Sequence, residues 1–159
     1  MREGKNSHPV VRPASLATLP LHSSARKKIL LVDDQGCFWQ VLQRAMPDYE
    51  LKVESDPGRA LDTARTFRPD LFLLDLVMPQ MSGTELAERI QHDDDLGHTP
   101  IIFLSALILT GEESGPPVLL HNRPAFGKPF SLDELKRCID QQLAIEVPSQ
   151  SCPSSAEQE

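Results

Sequence analysis

The sequence predicts an α/β domain on an open, mostly buried parallel sheet, and three observations carry that prediction. Short continuous apolar runs recur at Ile29-Leu30-Leu31-Val32, Leu71-Phe72-Leu73-Leu74 and Ile101-Ile102-Phe103-Leu104. Continuous rather than alternating runs mark strands covered on both faces. Segments with helical spacing lie between them, and strands alternating with helices imply right-handed βαβ units. Finally, a chain of 159 residues with 40% hydrophobic and 25% charged side chains has enough apolar content for one packed core.

Taken in order, the first run is followed by Phe38, Val41, Leu42 and Ala45, spaced i, i+3, i+4 and i+7 as on one helix face. A weaker strand fits Glu50–Glu54. Ala60, Leu61 and Ala64 form the next stripe, and Arg68-Pro69 ends that helix. After the second apolar run, Leu86, Ala87 and Ile90 mark a third helix; the third run follows it. A second weak strand fits Pro124–Gly127, and Leu132, Leu135, Ile139 and Leu143 mark the last helix, with Ser131 and Glu134 placed as a capping box. Five strands joined in this way predict a flavodoxin-like, doubly wound sheet in the order 2-1-3-4-5.

The flanks read differently. Residues 1–28 hold six basic side chains and one acidic one, with three prolines and no periodic pattern. Residues 1–26 are therefore expected to be a disordered basic arm, with an organellar transit peptide as the alternative. Residues 148–159 are a Ser-, Pro- and Glu-rich tail of the same kind, which leaves 27–147 as the domain. The formal charge is −7 and the arm is basic, so the body is strongly acidic. No nucleic-acid partner is expected of it, because phosphate contacts need clustered Lys and Arg. No apolar run reaches the roughly 18 residues of a membrane span, so no membrane association is expected. Cys37, Cys138 and Cys152 are few, odd in number and unpaired by spacing. With no secretory leader in view, they fit a reducing, cytoplasmic location.

In such sheets the site lies outside the carboxyl ends of the strands. Asp33 and Asp34 follow the first run, Asp75 the second and Ser105 the third, while Lys128-Pro129 follows the last strand. Alone, each has a plain structural alternative: a helix N-cap for Asp33 or Asp34, a turn for Asp75, a loop hydroxyl for Ser105, a solvated lysine for Lys128. Asp93-Asp94-Asp95 follows a helix and is read as a solvated loop.

Four motifs occur in order: Ile29-Leu30-Leu31-Val32-Asp33-Asp34, Asp75-Leu76-Val77-Met78-Pro79 with Met81-Ser82-Gly83, Ser105-Ala106, and Lys128-Pro129-Phe130. In them the chain resembles the receiver domain of two-component response regulators from about Lys27 to Leu143. The resemblance implies that Asp75 is the phosphoacceptor and that Asp33, Asp34, Asp75 and the Val77 backbone carbonyl hold Mg²⁺. Lys128 and Ser105 would contact the phosphoryl group, Pro129 would follow a cis bond, and Gly83 would be structural. A histidine kinase or histidine phosphotransfer protein is the implied donor, with an unidentified protein downstream. Phe38 and Trp39 lie where the family meets its donor. Electrostatics agrees with the implied metal: at an effective dielectric of about 20, two carboxylates 4 Å apart repel by roughly 4 kcal/mol. A divalent cation offsets that better than one lysine.

The chain departs from the family at two places. Leu107 to Leu120 contains Gly111, Gly115 and the pair Pro116-Pro117, so the fourth helix is expected to be short or broken. The usual aromatic switch position holds Ala125, with Phe126 one residue later on the face of Lys128. A stand-alone phosphoacceptor that is not an enzyme on exogenous substrate is the function expected. A phosphorylation-independent scaffold on the same fold is the alternative. An aspartyl-phosphate phosphatase would need a second Asp two residues after Asp75, where Val77 stands.

Overall fold

The computed structural model describes residues 25–36, 38–106 and 116–144. Residues 1–24 of the basic arm, Cys37, residues 107–115 and everything from residue 145 onward fall outside them. The elements are β1 (Lys28–Val32), α1 (Trp39–Ala45), β2 (Glu50–Glu54), α2 (Ala60–Phe67), β3 (Leu71–Asp75), α3 (Gly83–Gln91), β4 (Ile101–Ser105), β5 (Val118–Leu120), β6 (Arg123–Gly127) and α4 (Leu132–Ala144). They build a flavodoxin-like α/β fold.

The sheet order is β2-β1-β3-β4-β6-β5, with every pair parallel except β5 with β6. The expected five-stranded order is thus present, with β6 in the fifth place, and a sixth, antiparallel strand extends it. That strand corrects the five-stranded expectation, and its cause is local. Pro116-Pro117 cannot continue a helix. Val118-Leu119-Leu120 then pairs back on β6 through a two-residue turn. His121 and Asn122 both have positive φ, 49° and 63°, the pattern of a type I′ turn matched to strand twist. The expected fourth helix falls on residues 107–115, outside the described residues. Among those described, no helix lies between β4 and β6.

Strand alternation splits the core into two layers, which is why the apolar runs are continuous. Leu30, Val32, Phe72, Leu74, Phe103 and Ala125 point to the layer under α2 and α3. Ile29, Leu31, Leu71, Leu73, Ile102, Leu104 and Phe126 point to the layer under α1 and α4. Every residue of β3 and β4 is buried.

Helix ends follow the sequence signals. α2 stops at Phe67, with Arg68 left-handed at φ 55° before Pro69. Ser131 Oγ accepts from Glu134 N at 3.4 Å, the backbone half of the expected capping box. Ser82 caps α3, its Oγ accepting from Glu85 N at 3.2 Å. Ser82→Ala should lower stability by about 1 kcal/mol, measured by urea unfolding; an unchanged midpoint would show the cap to be dispensable.

The acidic run is only in part the solvated loop expected. Asp94 and Asp95 are exposed. Asp93 Oδ2 pairs with Arg65 at 2.8 Å, and its Oδ1 accepts from the backbone of Asp95 and Leu96, so Asp93 ties the α3–β4 turn to α2. Cys138 is buried in the α4 layer, where burial pushes its thiol pKa up. A desolvated thiol of this kind is unreactive. No helix among the described residues is long and apolar enough to cross a membrane.

Candidate phosphoacceptor site

Parallel register brings the strand ends together. Val32 lies opposite Leu74, so Asp33 and Asp75 fall side by side one step further on. Asp75 lies opposite Leu104, and Ser105 opposite Gly127, which delivers Ser105 and Lys128 to the same edge. Sequence-distant polar residues thus meet because each ends or follows a parallel strand of five residues.

Asp33 and Asp75 are 2% and 6% exposed, and Ser105 is fully buried. Asp33, Asp34 and Asp75 each offer a carboxylate oxygen within 4.8 Å of the others. Lys128 Nζ donates to Asp33 Oδ2 at 3.1 Å and to Asp75 Oδ2 at 3.3 Å. Burial alone would lower the lysine pKa, but the two carboxylates outweigh it and hold the pKa above the usual lysine range. The other oxygens of the pair are oriented by backbone: Gln35 N donates to Asp33 Oδ1 at 2.8 Å and Val77 N to Asp75 Oδ1 at 3.1 Å.

Three clustered carboxylates facing one ammonium leave an excess of negative charge at the edge. Asp34 Oδ1 is buried with no hydrogen-bond partner, and a buried orphan acceptor is costly unless something fills its place. An all-oxygen donor set with an unsatisfied member fits a hard divalent cation.

The supporting residues are placed as follows. The Lys128–Pro129 peptide is cis, and Lys128 N donates to Ser105 O at 2.7 Å, which ties the lysine loop to the end of β4. Gly83 N donates to Leu76 O at 3.0 Å. A Cβ at Gly83 would stand 2.2 Å from the Asp75 carbonyl oxygen, so α3 packs on the backbone of the phosphoacceptor candidate itself. Val77 is about half exposed. Trp39 is half-buried against the α1/α4 layer.

Phe126, the aromatic one residue past the usual switch position, is a core side chain. It is 1% exposed and packs under α1 and α4, on the face opposite Ala125. The sequence places Phe38 on the first helical stripe and, by resemblance, at the donor contact. The structure also sets its ring beside Lys128 Nζ, 5.9 Å from the ring centroid, and edge-on to Phe130. No spacing in the sequence signals that contact, because Phe38 and Lys128 are 90 residues apart and belong to different motifs.

Comparison with known proteins gives the family. A family model described as the response regulator receiver domain matches residues 29–114. The polar-differentiation response regulator DivK of Brucella ovis is 41% identical over 89 residues, 55% of this chain and 72% of that protein. The sensor histidine kinase TmoS of Ectopseudomonas mendocina is 30% identical over 148 residues, 87% of this chain; the chain spans 14% of the kinase's length. The Francisella response regulator 1452 receiver domain superposes with a TM-score of 0.61 at 25% identity, over 74% of this chain and 97% of that one. The chain belongs to the response regulator receiver family, the phosphoacceptor domains of two-component signalling.

Proposed function

We propose that this chain accepts a phosphoryl group on Asp75 from a histidine kinase or a histidine phosphotransfer protein, and signals by partner binding or by passing the phosphate on. The observation that carries the proposal is Lys128 bridging Asp33 and Asp75 beside an unsatisfied Asp34. Asp33, Asp34, Asp75 and the Val77 carbonyl would hold Mg²⁺, which when bound would neutralise phosphoryl charge.

The chain's own residues supply the rest. An Asp75 carboxylate oxygen attacks phosphorus, the new O–P bond forms, and the P–N bond to the donor imidazole breaks, its electron pair leaving with the ring. Val77 N–H fixes the carboxylate rotamer for that attack. Lys128 moves its ammonium charge onto the phosphoryl oxygens, and the Ser105 hydroxyl donates to one of them. Hydrolysis of the acyl phosphate by water resets the site, so the only turnover is of the domain's own phosphate. The cytoplasm is the compartment where such donors act.

The test is intact-protein mass after incubation with acetyl phosphate and Mg²⁺. Wild type should gain one phosphate, and the gain should vanish with chelator and in Asp75→Ala. The β5–β6 hairpin at the margin of the sheet favours a second reading, a scaffold that works without phosphate. No mass gain under conditions that phosphorylate a control receiver would select that reading.

A further inference from the structure

Lys128 carries three rotatable donors on a flexible four-carbon stem, and its side chain is one-quarter exposed. Its two carboxylate partners are poor permanent anchors under the function proposed above. Asp33 is wanted by the cation, and Asp75 loses its charge as it bonds to phosphorus. A third neighbour does not change during that step. The Phe38 ring centroid lies 5.9 Å from Lys128 Nζ, within cation–π range. The ring itself is braced. It meets Phe130 edge-on, with centroids 5.2 Å apart at 82°. Phe130 in turn meets Phe126 at 5.8 Å, and Phe126 is buried in the core. Three rings therefore run from the lysine to the layer under α1 and α4. They join the start of α1, the Lys128-Pro129 loop and β6.

We propose that Phe38 is a positioning residue for Lys128: its braced ring face holds the ammonium at the site while the carboxylates change partners. An aromatic face suits this task. It attracts a cation through its quadrupole, but it cannot ligate a metal or compete with phosphoryl oxygens for one. A third carboxylate in its place would do both. The inference rests on the phosphoacceptor reading and adds a residue to it.

The test compares the full chain with Phe38→Leu, which keeps apolar bulk and removes the ring, and Phe38→Tyr, which keeps the ring. Four quantities are read: the rate of phosphorylation by acetyl phosphate, the affinity for beryllofluoride with Mg²⁺ present and the affinity for Mg²⁺ alone, both by titration calorimetry, and Tm. Phe38→Leu should lower the rate and the beryllofluoride affinity roughly three- to five-fold. It should leave Mg²⁺ affinity and Tm near wild type, and Phe38→Tyr should restore both lost quantities. Wild-type behaviour of Phe38→Leu overturns the proposal and leaves the phosphoacceptor reading intact. So does equal impairment of both variants, or a parallel fall in Mg²⁺ affinity and Tm, which would mark a packing role. A wild-type chain that takes no phosphate overturns the reading, and this proposal with it.

Discussion

Gly83→Ala should destabilise the domain by about 3 kcal/mol and remove most phosphoryl acceptance. The added Cβ would lie 2.2 Å from the Asp75 carbonyl oxygen, 3.0 Å from the Asp75 carbonyl carbon and 3.0 Å from Leu76 Cα. All three are backbone atoms, so no side chain can rotate away. Either α3 lifts from the sheet or the end of β3 moves. Lifting α3 uncovers Leu86, Ala87 and Ile90, each buried to within 1%. Moving β3 shifts the residue that must meet phosphorus, and small misplacements of a reacting atom are expensive in rate. Urea unfolding and the acetyl phosphate mass assay read the two effects. A variant with wild-type stability and full phosphorylation would show that the chain absorbs a methyl group here without cost.

The second large effect is at Lys128. Lys128→Met removes the cation that faces two nearly buried carboxylates. Stranding a charge in this way costs about 3–5 kcal/mol when both partners are fully buried. The lysine is one-quarter exposed, and solvent screening reduces the expected loss to about 2 kcal/mol. The loss should be seen in chelator and shrink when excess Mg²⁺ is added, because a cation among Asp33, Asp34 and Asp75 replaces the missing charge. The pH dependence has a definite sign. The folded-state pKa of Lys128 is raised, so the stabilisation it gives is fully present below the unfolded lysine value. It fades only as pH rises through the folded value, above about pH 10.4. The gap between wild type and variant should therefore stay constant from neutral pH to about pH 10 and close only above that. A variant as stable as wild type in chelator would mean that the carboxylates do not depend on this lysine for their charge balance.

Much of this arrangement was legible before any coordinates. Asp33, Asp75 and Ser105 each follow or end an apolar run, Lys128 follows a weaker strand, and a parallel sheet puts strand ends on one edge. The continuous character of those runs was equally informative, since it required helices on both faces. Two features were not legible. Val118-Leu119-Leu120 is too short to show a period, and Pro116-Pro117 announces that a helix fails without saying what replaces it. The strand appears because His121 and Asn122 accept left-handed backbone, which neither residue type guarantees. The contact of Phe38 with Lys128 depends on how α1 meets the cis-proline loop, a tertiary matter with no local signal. Asp93 is a similar case: a run of three acids looks solvated, yet one of them reaches an arginine on another helix.

The hairpin at the margin of the sheet bears on how this protein behaves at high concentration. Leu119 sits opposite Pro124, whose nitrogen carries no hydrogen, so that pair cannot exchange two backbone bonds. Leu119 is 74% exposed and its strand is the outermost. A foreign strand laid along this lip would find only three residues. It would run into Pro117 at one end and a tight turn at the other. Fibre growth by sheet extension needs a long, flat, bondable margin. Pro117 and the tight turn therefore close off the sheet margin, and they leave an oily side chain in water without leaving a template beside it.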